Sequence, residues 1–187
     1  KADLVIKSPG IQNEAPIIQS IIKEGVPVLS EIEFASRFSN AKFLLVGGLD
    51  QNPSAITSNE LQSWINQGNI EYLGELQSVQ SILKSCKYYV LPSYYREGTP
   101  RSTLEALSTG RPIITTDAPG CRETVVHEKN GLLVPIKDPV SLANAMIRLL
   151  NEKDETLKKM AHESYLLAKK KYEINKVNQS MLDIMSL

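Results

Sequence analysis

A chain of 187 residues, 42% of them hydrophobic, can bury one substantial core and is somewhat longer than the commonest domain. Lys+Arg and Asp+Glu are each 21, so the formal net charge is +0 and no basic excess suggests a nucleic-acid partner. Cys86 and Cys121 stand far apart without metal-ligand spacing, which argues against a disulfide framework or a zinc site and fits a reducing cytoplasm.

No apolar run approaches the roughly 20 residues of a membrane span, so no transmembrane segment is expected. The opening "KADLVIKSPG" lacks a signal-peptide shape. A soluble, cytoplasmic protein is the expectation. The chain opens on Lys1 and at once enters a strand-like run, which reads as a piece cut from, or joined to, something larger.

In chain order, "DLVIK" predicts a strand, "EAPIIQSIIKEG" a helix, "VPVL" a strand and "SEIEFASRF" a helix. The alternation continues with "KFLLVGG", then helical "SNELQSWINQG", "IEYLG", helical "SVQSILKSC", "YYVLPS", helical "TPRSTLEALSTG", "PIITTD", helical "PGCRETVVH" and "GLLVP". Continuous apolar strands imply a sheet covered on both faces, and the βα alternation predicts a doubly wound parallel α/β sheet. After "LLVPIKDP" the strands cease. "DPVSLANAMIRLLNE" predicts a helix capped by Asp138, with Pro139 at its first position and Leu142, Ala145, Met146 and Leu149 on one face. The remaining residues predict one or two more helices with a solvated Lys-rich face. Residues 1–187 are expected to form one α/β domain with C-terminal helices.

The candidate site lies around Glu97 and Glu105 in "YREGTPRSTLEALSTGRPIITTDAPGCRE". Thr99 followed by Pro100 predicts an N-cap and first helical residue, which puts Glu97 and Gly98 in the loop beyond a strand end, where open α/β sheets bind ligands. Glu105 falls in the second turn, and helical side chains lean toward the N-terminus. Free N–H groups and the partial positive charge at the helix N-terminus suit a phosphate, and carboxylates suit the vicinal hydroxyls of sugars. A ligand with sugar, diphosphate and ribose satisfies all three. On spacing alone, a solvated Glu97 and a surface Glu105 fit as well.

The same residues carry a resemblance. "EGTPRSTLEALSTGRPIITTDAPGCRETV" resembles the donor-site segment of GT-B fold, retaining glycosyltransferases of the large family 4 type, with a Glu-x7-Glu motif at Glu97 and Glu105. "NIEYLGELQSVQSILKSCKYYVLPS" and "NGLLVPIKDPVSLANAMIRLL" resemble that family too, so the likeness runs from about Ala41 to the C-terminus. It implies a Rossmann-like, GT-B C-terminal domain that binds UDP or a UDP-sugar. Glu97, Gly98 and Thr99 would hold the donor sugar, Glu105 the ribose, and Gly74, Glu75 and Leu76 the base, with Gly47-Gly48 closing the strand beneath. The chain has no Asp-x-Asp, so no obligatory metal is expected.

Two features depart from that family. Its C-terminal domain carries an Arg and a Lys-Gly that neutralise the donor diphosphate; here Lys7 ends a strand, but no base stands near the next helix start before Lys23. Residues 1–40 instead resemble the uridine-nucleotide-binding domain of Mur ligases that add D-glutamate, through "ADLVIKSPGI" and "VPVLSEIEFASRF". No Mur ATP loop follows, since "KFLLVGGLDQ" occupies its place. The two resemblances meet near Asn40, as in a chimera in which residues 1–40 complete the sheet of 41–187; a natural, divergent glycosyltransferase domain is the alternative.

Without an acceptor domain the chain should contain no complete catalytic centre, and without the Arg/Lys pair its nucleotide binding should be weak. A purely structural chimeric fold is the competing reading. Arg96, Arg101, Arg111 and Arg122 surround the proposed crevice, where ordinary salt bridges compete with a role toward diphosphate. His127 and His162 read as surface or capping residues, and Trp64 as a packing residue.

Overall fold

The computed structural model describes residues 5–7, 20, 23, 28–30, 41–49, 56–66, 68, 70–96 and 98–185. The helices expected over "EAPIIQSIIKEG" and "SEIEFASRF" lie largely outside them. Each of the seven expected strands overlaps an observed one: β1 (Val5–Lys7), β2 (Val28–Ser30, one residue beyond "VPVL"), β3 (Phe43–Val46), β4 (Ile70–Gly74), β5 (Tyr89–Leu91), β6 (Ile113–Thr116) and β7 (Gly131–Val134). Every pairing among the described residues is parallel: β1 with β2, β3 with β4, and β5–β6–β7. With flanking helices this is a Rossmann-like α/β fold. The chain divides into two compact units, residues 1–77 with 137–150, and 78–136 with 151–187.

In the first unit, helix α1 (Ser58–Asn66) begins at a reciprocal cap. Glu60 N–H donates to Thr57 Oγ1 at 3.2 Å, while Thr57 N–H and its hydroxyl donate to Glu60 Oε2 at 3.0 and 2.9 Å. This T-x-x-E box satisfies N–H groups that have no partner inside the helix. The helix buries Leu61 and Trp64 with Ile70 of β4, flanked by Phe43, Leu45 and Tyr72. Trp64 is thus a packing residue. Helix α4 (Pro139–Asn151) starts where the sequence predicts, with Ser141 N–H and Oγ donating to Asp138 Oδ1 and Oδ2 at 3.0 and 2.6 Å. Those bonds hold the Asp138 carboxyl below its ordinary pKa, the Ser141 hydroxyl being the larger cause. Leu142, Ala143, Ala145, Met146 and Leu149 are its buried face.

The second unit is built on β6, all four residues of which are buried, as a central parallel strand requires. Helices α2 (Gln80–Ser85), α3 (Arg101–Ser108) and α5 (Asp154–Lys171) contribute side chains to the core against it. Leu83, Ala106, Leu107, Ile113 and Val125 form the core, with Tyr89, Leu104, Leu133, Leu167 and Tyr172 packed on it. Helix α3 stops in a Schellman turn: Arg111 N–H reaches Ala106 O and Gly110 N–H reaches Leu107 O, each at 2.9 Å. Gly110 takes φ +64°, the left-handed value such a turn needs. A final helix, α6 (Ile174–Met185), has no buried side chain.

"PGCRETVVH" does not form the expected helix. Only a 3-10 turn, Arg122–Thr124, is present, and Val125 is extended at φ −128°, ψ 124°. The cause is Asn130, fully buried: its Oδ1 accepts from Val126 N–H at 2.7 Å and its Nδ2 donates to Thr124 O at 3.1 Å. These are backbone groups that a continuing helix would have used itself. The next residue, Gly131, meets β6 so closely that a Cβ would lie 1.9 Å from Ile113 O.

Candidate functional site

The strand-to-helix connection 92–100 leaves β5 at its C-terminal end. Its start is tied to β6, because Thr115 Oγ1 donates to Leu91 O at 2.8 Å and Thr116 Oγ1 donates to Ser93 O. Both threonines are buried, so the loop springs from a fixed base. Tyr94 and Tyr95 follow with rings stacked, then the exposed Arg96, Gly98 and Thr99. Glu97 lies outside the described residues.

The start of α3 corrects one expectation. Pro100, not Thr99, is the N-cap, with φ −63° and ψ 130°, and Arg101 is the first helical residue. An extended ψ keeps proline outside the helix, and its ring supplies no capping acceptor. Pro100 makes no side-chain cap bond, and the Thr103 and Leu104 N–H groups reach Pro100 O at 3.1 and 3.3 Å. The Thr103 hydroxyl instead back-bonds to Pro100 O at 2.6 Å and locks the turn.

Glu105 sits in the second turn, as its spacing predicts. Its side chain is 30% exposed, against 92% for Arg101, whose Nε donates to Glu105 Oε1 at 3.1 Å. An exposed i,i+4 pair of this kind is worth only about 0.3–0.5 kcal/mol. A ligand hydroxyl can therefore share or take the carboxylate at little cost. Gly98, Thr99 and Glu105 thus belong to one strand–loop–helix unit.

The other predicted residues belong to the first unit. Gly74 ends β4 at φ +68°, opposite Val46 across a register shift, and its carbonyl accepts Gly47 N–H at 2.9 Å. Tyr72 OH donates to Gly47 O at 2.7 Å, and a Cβ on Gly48 would lie 3.7 Å from Glu75 Oε2. The structure therefore brings Gly47-Gly48 and Gly74-Glu75 together at the carboxyl ends of adjacent strands, with Glu75 exposed and Leu76 half-buried.

Three of the four arginines have ordinary partners. Arg101 holds Glu105, Arg122 pairs with Asp117 at 3.1 Å, and Arg111 donates to Cys86 O and Thr109 O at 2.7 and 3.2 Å. His127 is exposed, and its Nδ1 accepts the N–H of Leu133 in β7 at 2.9 Å. His162 is exposed. Both cysteines are free, Cys121 being buried. Among the described residues, no three His, Cys, Asp or Glu side chains converge as a metal site. No described helix is long and apolar enough to cross a membrane. Sequence reasoning passed over the Tyr94–Tyr95 stack; its only signal was two adjacent aromatics in an otherwise polar loop.

Comparison with known proteins gives this geometry a family. N,N'-diacetylbacillosaminyl-diphospho-undecaprenol alpha-1,3-N-acetylgalactosaminyltransferase of Campylobacter jejuni is 37% identical over 112 residues, 60% of this chain and 28% of that protein. UDP-N-acetylmuramoylalanine--D-glutamate ligase of Bacteroides fragilis is 35% identical over 95 residues, 48% of this chain and 21% of the ligase. Anabaena Alr3699/HepE in complex with UDP superposes with a TM-score of 0.73 at 20% identity, over 99% of this chain and 49% of the other. The chain thus spans about a quarter of the transferase and half of the Anabaena protein. The family model for Glycosyl transferases group 1 matches residues 22–152, beginning inside the stretch that resembles the ligases. The chain belongs to the group 1 glycosyl transferases.

Proposed function

We propose that the chain is the UDP-sugar-binding domain of a retaining glycosyltransferase of cell-surface polysaccharide synthesis, cytoplasmic and inactive in sugar transfer by itself. The observation that supports this most is Glu105, half-buried one turn behind a helix start whose N-cap residue, Pro100, makes no side-chain cap bond, eight residues after Glu97. In this reading Glu97, Gly98 and Thr99 receive the donor sugar, Glu105 the ribose hydroxyls, and Gly74, Glu75 and Leu76 the uracil. Residues 1–187 act as one domain. Family membership supports nucleotide-sugar chemistry, the Campylobacter relative's name specifies transfer to a diphospho-undecaprenol-linked sugar, and the Anabaena protein was solved with UDP.

The sequence lacks the Arg and Lys-Gly that the resemblance implies for the diphosphate, two charge-assisted contacts each worth roughly 1.5–3 kcal/mol, so UDP should bind only in the millimolar range. Titration of UDP and UDP-sugars followed by NMR tests the reading. Glu105→Gln should weaken both ligands, and Glu97→Gln only the UDP-sugars. Sugar transfer to a lipid-linked acceptor by this chain alone would refute its inactivity, and UDP binding indifferent to Glu105 would refute the site.

A second reading, a chimeric α/β fold of structural interest without activity, is supported by the D-glutamate ligase match. It predicts cooperative unfolding of the whole chain with no nucleotide binding at all.

A further inference from the structure

We infer that the stacked pair Tyr94–Tyr95 is a platform for the pyranose ring of the donor, with Tyr95 as a specificity-determining residue. The inference rests on the UDP-sugar reading above and deepens it. The ring centroids lie 4.4 Å apart at 29°, and Tyr94 OH donates to Tyr95 OH at 3.0 Å. Stacking covers one face of Tyr95, yet the residue remains 52% exposed. A loop tyrosine that serves packing alone is buried; this one is held against its neighbour and remains half exposed as a residue.

The pair is also preorganised. Ser93 O, immediately before it, accepts the hydroxyl of the buried Thr116, so the backbone that carries the rings is fixed to the central strand. A tyrosine has only two side-chain torsions to order, which makes it a low-entropy contact. The location is the carboxyl end of a parallel strand, where α/β sheets receive ligands.

The chemistry selects a sugar. A pyranose ring has a C–H face that is apolar and a rim of hydroxyls, matching a phenol ring edged by two adjacent O–H groups, each able to donate and accept. Uracil could stack on the same ring. Tyr95, however, stands three residues before Gly98 on the loop assigned to the sugar, whereas the residues assigned to the base lie on the β4 exit.

The test is titration of the whole chain with UDP, UDP-galactose and UDP-N-acetylgalactosamine, observing the tyrosine ring resonances, for the native chain and for Tyr95→Leu and Tyr95→Phe. Loss of the ring should weaken the UDP-sugars roughly threefold to tenfold, the range expected for an aromatic contact, and leave UDP unchanged. Tyr95→Phe should retain most of the affinity, and the Tyr95 resonances should shift with UDP-sugars but not with UDP. UDP-sugar binding untouched by Tyr95→Leu overturns the platform and leaves the UDP-sugar reading standing. Equal weakening of UDP and UDP-sugars overturns it in favour of stacking on the base. Absence of binding by the native chain at tens of millimolar ligand overturns both.

Discussion

Helices α4 and α6 carry the same kind of amphipathic sequence and end in opposite environments. Helix α4 buries five side chains, whereas Ile174, Val177, Met181, Leu182, Ile184 and Met185 of α6 are all exposed, Ile184 at 75% and Met185 at 78%. On a wheel of 3.6 residues per turn those six lie on one side, opposite Lys176, Gln179 and Asp183. Periodicity therefore reports that a segment is helical and which face is apolar. Whether that face is covered depends on what else is folded beside it.

The covered side of this comparison has its extreme at the β6–β7 contact, and the largest expected effect lies there. Gly131→Ala places a methyl 1.9 Å from a backbone oxygen of a strand that cannot yield without losing its ladder to β7. Destabilisation above about 3 kcal/mol is expected, toward loss of the folded state, read from urea unfolding monitored by circular dichroism. A fall of less than about 1 kcal/mol would show that β6 and β7 are less tightly joined than their register implies.

Next comes the buried face of α4. Leu149 is fully buried, and Leu149→Ala should cost about 2–5 kcal/mol through lost transfer energy and a residual cavity. The same denaturant midpoint reads it. A cost near zero would put α4 in the same class as α6.

The cap of α4 should contribute less. Asp138→Ala removes acceptors for Ser141 N–H and its hydroxyl and should cost about 0.5–2 kcal/mol. The pH dependence has a definite sign. Because the folded pKa is lowered, the carboxylate's contribution is complete above its unfolded pKa, near 3.9, and is lost as pH falls through the lower folded value. The stability difference between native chain and Asp138→Asn, which keeps a capping oxygen without the titration, should be constant from pH 5 to 8 and shrink below about pH 4. A difference that changes between pH 6 and 8 instead would assign the effect to another group.

These contrasts also mark what could be read from the residues. Strand positions were legible because each is a short apolar run closed by Gly, Pro, Ser or Asp, and the Asp138-Pro139 start of α4 was legible because cap and first turn are local chemistry. The 3-10 turn at Arg122–Thr124 was not, since the competing partner of its backbone, Asn130, reaches back from the turn entering β7. The shift of the α3 start from Thr99 to Pro100 is a difference of one ψ angle, which T-P alone does not decide. The spacing of Glu97 and Glu105 was plain, but the Arg101 contact on Glu105 and the Tyr94–Tyr95 stack emerge only from side-chain positions.

The smallest expected effect tests the exposed side of the comparison directly. In Ile174→Gln with Ile184→Gln, two apolar side chains 70% and 75% exposed are exchanged for polar ones of fair helix propensity, and little area is returned to water on unfolding. The denaturation midpoint should move by no more than the equivalent of about 0.5 kcal/mol, the usual range for surface changes. If the pair instead costs as much as Leu149→Ala, the apolar face of α6 is covered in solution, and sedimentation at several protein concentrations separates cover by another copy from cover within the chain. A result near zero leaves α6 a helix whose apolar side contributes nothing to the stability of this chain, which is the behaviour that separates it from α4.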